Sequence, residues 1–503
     1  MYKYAVVVSL LALIAFVSCE SGLDGELNEN LPPTTSLTVD EINLPEGERL
    51  VSQVNISWWG DDSDGYVVGY ELFIGDITTA NDGDWTFTES SDSTFILPIE
   101  EGEQDADVQF TVRAVDNNDA RDPDPPNVVF PITNSSPVIQ FNNFETPPDT
   151  TYRIASFGFT ASDPDGDANL NRIEIALNDT TSEDAWKEIE LGLNLVTLRI
   201  DDTLDNPTAE VLLGRSAFNS DVSFDTVNLN GSNEFYVRSI DNAAAISDAI
   251  SYSWHVKKQE STILFLNDYQ GTNSADRFSL HRDLLNQAGI TEIDYLDISD
   301  GTPTGGRRVQ LSQALPDRSL VSPTTNMMLA EWNHIYWISD NLDRNIGYAL
   351  EMTLDFFEQG GTMFVNIPSK SVADDNPLLQ FLPFERVEQV PSNEQSFYIR
   401  SGSELQATGD QENPPLLTFR RTRTSEHPIV PFGQTVALFE APFQVRGGFP
   451  PTIKDFEGST LISATNPEET LIYFGVDFSE FTEDSDLVGL MDFLIIDLLE
   501  FQQ

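Results

Sequence analysis

The sequence predicts a multidomain chain of two all-β sandwiches followed by an α/β domain. Three observations carry this reading. The chain has 503 residues, and ~150 residues per domain gives a prior of about three domains. Residues 50–130 and 152–255 repeat one order of strand, acidic turn, strand and late strand. Their turns are rich in Asp, Gly and Pro, and they lack a sustained helical period. After Lys257-Lys258, apolar runs alternate with stretches of helical spacing, which implies a parallel sheet covered on both faces. The expected divisions are 1–18, 19–35, 36–133, 134–258 and 259–503.

Composition narrows the function classes. Hydrophobic residues make up 40%, so the chain can bury ordinary cores and is not disordered throughout. Lys+Arg is 26 and Asp+Glu is 83, a net charge of −57. Nothing in that balance neutralises phosphates in bulk, which excludes a general nucleic-acid binder. Arg outnumbers Lys 20 to 6. Three sources of such a surface stay open: a high-salt habitat, local calcium binding, and plain solubility.

The first element is an address. Lys3 precedes an apolar run, Ala5–Val17, too short for the ~20 residues that span a bilayer. Residues 1–18 read as a signal peptide. Phe16-Val17-Ser18-Cys19 then resembles a bacterial lipoprotein signal, with bulky Phe16 where Leu is usual. The resemblance implies that Cys19, the one cysteine of the chain, carries lipid and becomes the mature N-terminus. Several acyl chains would then hold the protein firmly to a membrane. With no second cysteine, an intramolecular disulfide, a CxxC metal site and a cysteine nucleophile in a folded domain are excluded. Residues 19–35 are polar with Gly and Pro, and read as a flexible tether.

The first repeat holds Ile56-Ser57-Trp58-Trp59-Gly60-Asp61-Asp62-Ser63-Asp64-Gly65, then Tyr70-Glu71-Leu72-Phe73, and ends in Phe110-Thr111-Val112-Arg113-Ala114-Val115-Asp116-Asn117. It resembles a fibronectin type III domain. The resemblance assigns Trp58 to the core position on the second strand and Tyr70 to the third, with Phe110 where the late strand usually has Tyr. The second repeat holds Phe157-Gly158-Phe159 before Asp163-Pro164-Asp165-Gly166-Asp167, then Ile173-Glu174-Ile175, and ends Phe235-Tyr236-Val237-Arg238-Ser239-Ile240-Asp241-Asn242. It lacks the Trp and has about 20 extra residues between motifs, so it is similar to immunoglobulin-like sandwiches more broadly. Asp62, Asp64, Asp163, Asp165 and Asp167 alternate on tight loops, and Asp116 and Asp241 end the late strands near them. Such carboxylates are candidate calcium ligands; Asp-Pro-Asp-Gly is equally a good solvated turn, and both readings stay open.

In the C-terminal part, strands are expected at 261–267, 292–296, 334–339, 362–367, 435–439, 460–464 and 470–476, with helices at 275–287, 345–359 and 484–500. ILFLND, IYWISDN, LDFFEQGGTMFVN, Glu426-His427-Pro428-Ile429 and IYFGVDFSEF resemble, in that order, the class I glutamine amidotransferase-like fold, a flavodoxin-like architecture. The family's nucleophile turn reads here Asn366-Ile367-Pro368-Ser369-Lys370, and its His-Pro-Glu slot reads Gly475-Val476-Asp477. Glutaminase chemistry is therefore excluded. Ser369 with His427 as base is the remaining nucleophile pair, without the strained Gly-x-Ser-x-Gly turn. Ligands of such sheets sit beyond the strands' carboxyl ends. There the candidates are Asp268, Tyr269, Asn273, Asp340, Asn341, Asn366 and Ser369, as ligand contacts or as loop caps. The loop Gly301–Arg308 (GTPTGGRR) offers glycines and arginines to an anion, but lacks the Lys-Ser/Thr of a phosphate loop.

Together these features predict a non-catalytic lipoprotein of the cell envelope, without a cofactor other than calcium. Its partners would be the membrane, through Cys19, and an envelope protein or glycan held by the head, with nucleic acid excluded. Two alternatives are a hydrolase of exported glycan or ester, with Asp268 and Asp340 as acid and base, and a calcium-stiffened spacer.

Overall fold

The computed structural model describes residues 29–39, 48–203, 206–301, 303–304, 308–309, 311–409 and 414–501. The signal segment, Cys19, most of the tether and much of the Gly301–Arg308 loop lie outside the described residues. The chain forms two compact units. One comprises residues to Ser136 with Asp163–Asn169 and Asp241–Ala245; the other comprises Pro137–Ser162, Leu170–Ile240 and Ile246–Gln503.

The first sandwich is built from β1 (Thr34–Val39), β2 (Leu50–Val51), β3 (Gln53–Asp61), β4 (Val67–Ile74), β5 (Thr86–Thr88), β6 (Asp92–Ile96), β7 (Asp105–Asp116) and β8 (Asn127–Thr133). Its sheets run β1-β3-β6 and β2-β8-β7-β4-β5. Alternation along β3 buries Val54, Ile56 and Trp58 and turns Asn55, Ser57 and Trp59 outward. Trp58 packs against Tyr70 and Phe110, with ring centroids 6.2 and 6.3 Å away. Its Nε1 donates to the Ser90 carbonyl at 2.9 Å, so the largest core side chain leaves no polar atom unpaired.

The second sandwich comprises β9 (Val138–Phe141), β10 (Thr150–Thr151), β11 (Ile154–Ser162), β12 (Leu170–Leu177), β13 (Lys187–Ile189), β14 (Leu195–Asp201), β15 (Thr208–Leu213), β16 (Phe218–Phe224), β17 (Gly231–Asp241) and β18 (Ile250–Val256). Its sheets run β10-β18-β17-β12-β13 and β16-β15-β14-β11-β9. The extra length seen in the sequence is the antiparallel β15–β16 pair, which widens the second sheet. Phe159 stands four residues before Asp163, as Trp58 does before Asp62, and is equally buried. Phe157 stacks on Phe235 at 4.3 Å and meets Trp254 edge-on at 5.0 Å, so the core keeps its aromatic volume without the Trp.

The C-terminal domain is organised around an eight-stranded sheet of β19 (Ile263–Asp268), β20 (Asp294–Asp297), β21 (His334–Ser339), β22 (Thr362–Asn366), β23 (Gln406–Ala407), β24 (Val436–Glu440), β25 (Leu461–Thr465) and β26 (Leu471–Phe474). The order is β20-β19-β21-β22-β26-β25-β24-β23. The first five are mutually parallel; β25, β24 and β23 join antiparallel. The parallel sheet expected from the sequence is therefore a mixed one. Both faces are buried. Leu264, Leu266 and Trp337 point to one core, and Ile263, Phe265 and Tyr336 to the other.

The helical cover is thinner than expected. Among the described residues, α1 (Ser274–Gln287) is the one α-helix longer than five residues. The stretch 345–359 breaks into a 3₁₀ turn and two short helices, Ala349–Met352 and Leu354–Glu358. Thr353 sits at the break and returns its Oγ1–H to the Ala349 carbonyl at 2.7 Å, a back-bond that bends helices. Near the C-terminus, Leu487–Met491 passes into a π-helical Asp492–Leu498. Among the described residues no helix is long and apolar enough to cross a membrane.

Candidate functional site

The carboxyl ends of β19, β21 and β22 bring Asp268, Ser339, Asp340 and Asn366 to one edge of the C-terminal sheet. Most of the candidates there are committed to the backbone. Asn366 donates from Nδ2 to the Phe474 and Val476 carbonyls at 3.0 and 2.8 Å. Asn341 Oδ1 accepts from the Asp343 N–H at 3.2 Å. Asn273 precedes α1 without a side-chain cap bond. Asp340 accepts Arg344 Nε at 3.0 Å and the Gln270 N–H at 3.1 Å, while its carbonyl takes Lys370 Nζ at 2.9 Å. Tyr269 OH reaches Asp477 Oδ2 at 3.2 Å, beside Arg277 Nε at 2.8 Å. Burial opposes the Asp477 charge, but Arg277 and Ser479 outweigh it and hold that carboxyl below its usual range. Asp477, which the sequence resemblance assigned to a His-Pro-Glu slot, is thus held in an ion pair with Arg277.

Ser369 is fully buried. Its Oγ–H donates to the His427 carbonyl at 2.7 Å, and the His427 N–H returns a bond to the same oxygen at 3.2 Å. The imidazole turns away: Nδ1 faces the Glu388 carbonyl at 2.8 Å and the ring meets Phe397 edge-on. The serine proton therefore goes to a backbone carbonyl and not to a base. His281 is no substitute. It is buried against Tyr336 OH, and burial pushes it down to about 4, so it is neutral.

Asp268 departs from this pattern. Its Oδ1 accepts Asn345 Nδ2 at 2.7 Å, but its buried Oδ2 has no partner among the described residues. The Trp337 indole N–H lies beside it, short of hydrogen-bonding geometry. Burial raises the carboxyl to about 8, only partly offset by Asn345 and Arg344, so Asp268 keeps its proton at neutral pH.

The acidic turns form a clasp that occurs once in each repeat. Asn30 Nδ2 donates to Asp116 Oδ2 at 2.6 Å, and Asn134 Nδ2 to Asp241 Oδ2 at 2.5 Å. The Leu31 N–H reaches Asp64 at 3.1 Å, and the Ser135 N–H reaches Asp165 at 2.6 Å. The Asp64 N–H turns back to Asp62 at 3.3 Å, as the Asp165 N–H does to Asp163 at 2.8 Å. The Ala120 and Ala245 N–H groups close on Asp116 and Asp241, both at 2.8 Å. Asp167 accepts the Asp163 N–H at 3.1 Å. The seven acidic candidates are thus met largely by N–H donors, and among the described residues no group of three or more His, Cys, Asp and Glu is arranged to hold a metal ion. Two carboxyls remain under stress. Burial, with Asp165 and Asp241 nearby, raises Asp163 to about 6, and Asp62 Oδ2 is unpartnered among the described residues.

Two features of the repeats escaped the sequence reading. The Asn of the clasp opens an Asn-x-x-Pro segment before each sandwich, Asn30–Pro33 and Asn134–Pro137. Each sandwich also carries a Trp–Arg–Glu stack on an outer sheet face. Arg113 lies 3.8 Å over Trp85 and pairs with Glu71 at 2.7 Å. Arg238 lies 4.1 Å over Trp186 and pairs with Glu174 at 2.7 Å. The recurrence of Trp before β5 and β13 was the available signal.

No family model and no curated protein matches the chain. Among solved structures it is similar to the fibronectin(III)-like modules of Clostridium thermocellum CbhA, at 15% identity and TM-score 0.16 over 44% of this chain and 95% of that one. It is also similar to the chicken interferon gamma receptor alpha chain, at 8% identity and TM-score 0.18 over 46% of this chain and 100% of that one. A third is chicken CNTN1 FN1-FN3, at 11% identity and TM-score 0.15 over 45% of this chain and 68% of that one. At such scores, the description of β1–β18 as two fibronectin III/Ig-like sandwiches rests on the sheet orders and on the buried Trp58, Tyr70 and Phe110.

Proposed function

We propose that the chain is a membrane-anchored lipoprotein of the cell envelope, with the two sandwiches as a stalk and the C-terminal domain as a non-catalytic head that recognises a protein or glycan. The lipid anchor is Cys19. The head is read as a degenerate class I glutamine amidotransferase-like domain. The five parallel strands β20-β19-β21-β22-β26 support this: numbered among themselves they run 2-1-3-4-5, as in flavodoxin-like sheets, with β23–β25 inserted before the last of them. The observation that carries the non-catalytic reading is Ser369, whose hydroxyl is bonded to the His427 carbonyl while the imidazole points elsewhere. The test is turnover of p-nitrophenyl esters and glycosides by the full chain and by Ser369→Ala. No turnover by either is expected; activity lost with Ser369 would overturn the reading. Metabolic labelling with a palmitate analogue tests the anchor, which predicts label on the wild type and none on Cys19→Ala.

The hydrolase alternative draws on Asp268, a carboxyl that burial keeps protonated, close to the Arg344-paired Asp340. Asp268 is fully buried, which counts against it. The calcium-stiffened spacer draws on the crowded Asp163.

A further inference from the structure

A cleft of about 780 Å³ opens between the second sandwich and the C-terminal domain, within one compact unit. Domain junctions are favoured places for ligand sites, and this volume lies in the usual range for them. Its walls are fixed. Tyr152 OH donates to the Tyr295 carbonyl at 2.9 Å and accepts Lys257 Nζ at 2.7 Å, and the Tyr152 ring meets Trp332 edge-on at 4.9 Å.

The unusual residue is Phe144 at the rim. It is 76% exposed and has φ +67°. A bulky side chain in the left-handed region is a genuine outlier, where Asn or Gly would sit without strain. The turn around it is tied down. The Asn142 N–H bonds the Gly158 carbonyl at 2.9 Å, the Gly158 N–H bonds the Glu145 carbonyl at 2.6 Å, and the Glu145 N–H closes on Asn142 at 3.2 Å. Asn142 Nδ2 also holds Glu145 Oε2 at 2.7 Å. This frame presents an apolar ring to solvent in a strained conformation that the core does not require. Such an outlier points toward function.

The rest of the lining indicates a ligand class. Tyr252, Tyr295 and Tyr348 add aromatic rings, and Arg318 lies 5.2 Å over Tyr348. Thr146, Asp149, Thr150 and Gln313 also line the cleft. Flat rings beside hydroxyl, amide and carboxylate groups suit the apolar faces and vicinal hydroxyls of a sugar. A peptide would instead draw on main-chain donors and acceptors.

We propose that this cleft is an oligosaccharide-binding site in which Phe144 stacks on a sugar ring and Asp149 and Gln313 bond its hydroxyls. The site is separate from the strand-end edge of the head, so it stands or falls independently of the lipid anchor and of the head's ancestry. The test uses the full-length protein against cello-, xylo-, laminari-, manno- and chitohexaose and a proline-rich decapeptide, by saturation-transfer NMR and thermophoresis. At least one hexasaccharide should bind, and Phe144→Asn should weaken it about ten-fold while raising the melting temperature, because Asn tolerates the left-handed backbone. Gln313→Ala should weaken binding with the melting temperature unchanged. Three outcomes would overturn the proposal: no hexasaccharide binds, binding is unaffected in both variants, or only the decapeptide binds.

Discussion

Replacing Asp268 with Asn removes one ionisable proton from the C-terminal domain while preserving the shape of the side chain. Asn Oδ1 can keep the bond from Asn345 Nδ2, and its Nδ2 takes the place of the protonated oxygen that has no partner among the described residues. The wild-type carboxyl is raised to about 8 from the ordinary 3.8, chiefly by burial. The folded state therefore holds a proton that the unfolded chain releases near pH 4. With the folded value above the unfolded one, this group favours the fold fully only below about pH 4. Its contribution worsens as pH rises through about 4 to 8, then stays constant. Between pH 5 and 8 the window spans about three units, or about 4 kcal/mol at ~1.4 kcal/mol per unit. Asp268→Asn should thus match the wild type near pH 4 and gain on it steadily up to pH 8. Denaturant unfolding at pH 4.5, 6, 7 and 8.5, with hydrogen exchange read on peptides covering β19, gives the gap at each pH. A gap independent of pH would refute the reasoning. It would mean that Asp268 is ionised in the fold and that Arg344 compensates its charge.

Other outcomes follow from the same contacts. Asp241→Ala leaves the Ala245 N–H and Asn134 Nδ2 without an acceptor, and should lower stability by about 1–3 kcal/mol in urea unfolding; Asp116→Ala should destabilise the first sandwich in the same sense. Because the acidic turns are met by N–H donors, EDTA should leave the melting temperature unchanged, whereas a drop of several degrees that calcium reverses would favour the spacer reading. Arg113→Lys keeps the charge near Glu71 but loses the flat guanidinium over Trp85; thermal unfolding should show a loss of about 1 kcal/mol.

The sequence was most legible where one segment decides its own fate. Alternation along β3 alone places Val54, Ile56 and Trp58 inside, and the apolar runs at β19, β21 and β22 mark strands buried on both faces. Legibility fell where a partner comes from far away. Asn30 reads as tether, yet it bonds Asp116 across 86 residues; Trp85 and Trp186 acquire a role only when an arginine from a late strand covers them. The helix expected at 345–359 shows regular spacing, but the Thr353 hydroxyl competes for the Ala349 carbonyl, a contest that periodicity does not register. The candidate site shows the same limit more sharply. Polar residues at strand ends suggest a ligand by type, but loops at such an edge need donors and acceptors for their own backbone. Asn341, Asn366 and Ser369 meet that need. The groups that stand out are those the fold leaves unsatisfied or strained, namely Asp268 Oδ2 and the backbone of Phe144. Being left over is a property of the whole set of contacts, so it becomes visible only once every neighbour has been placed.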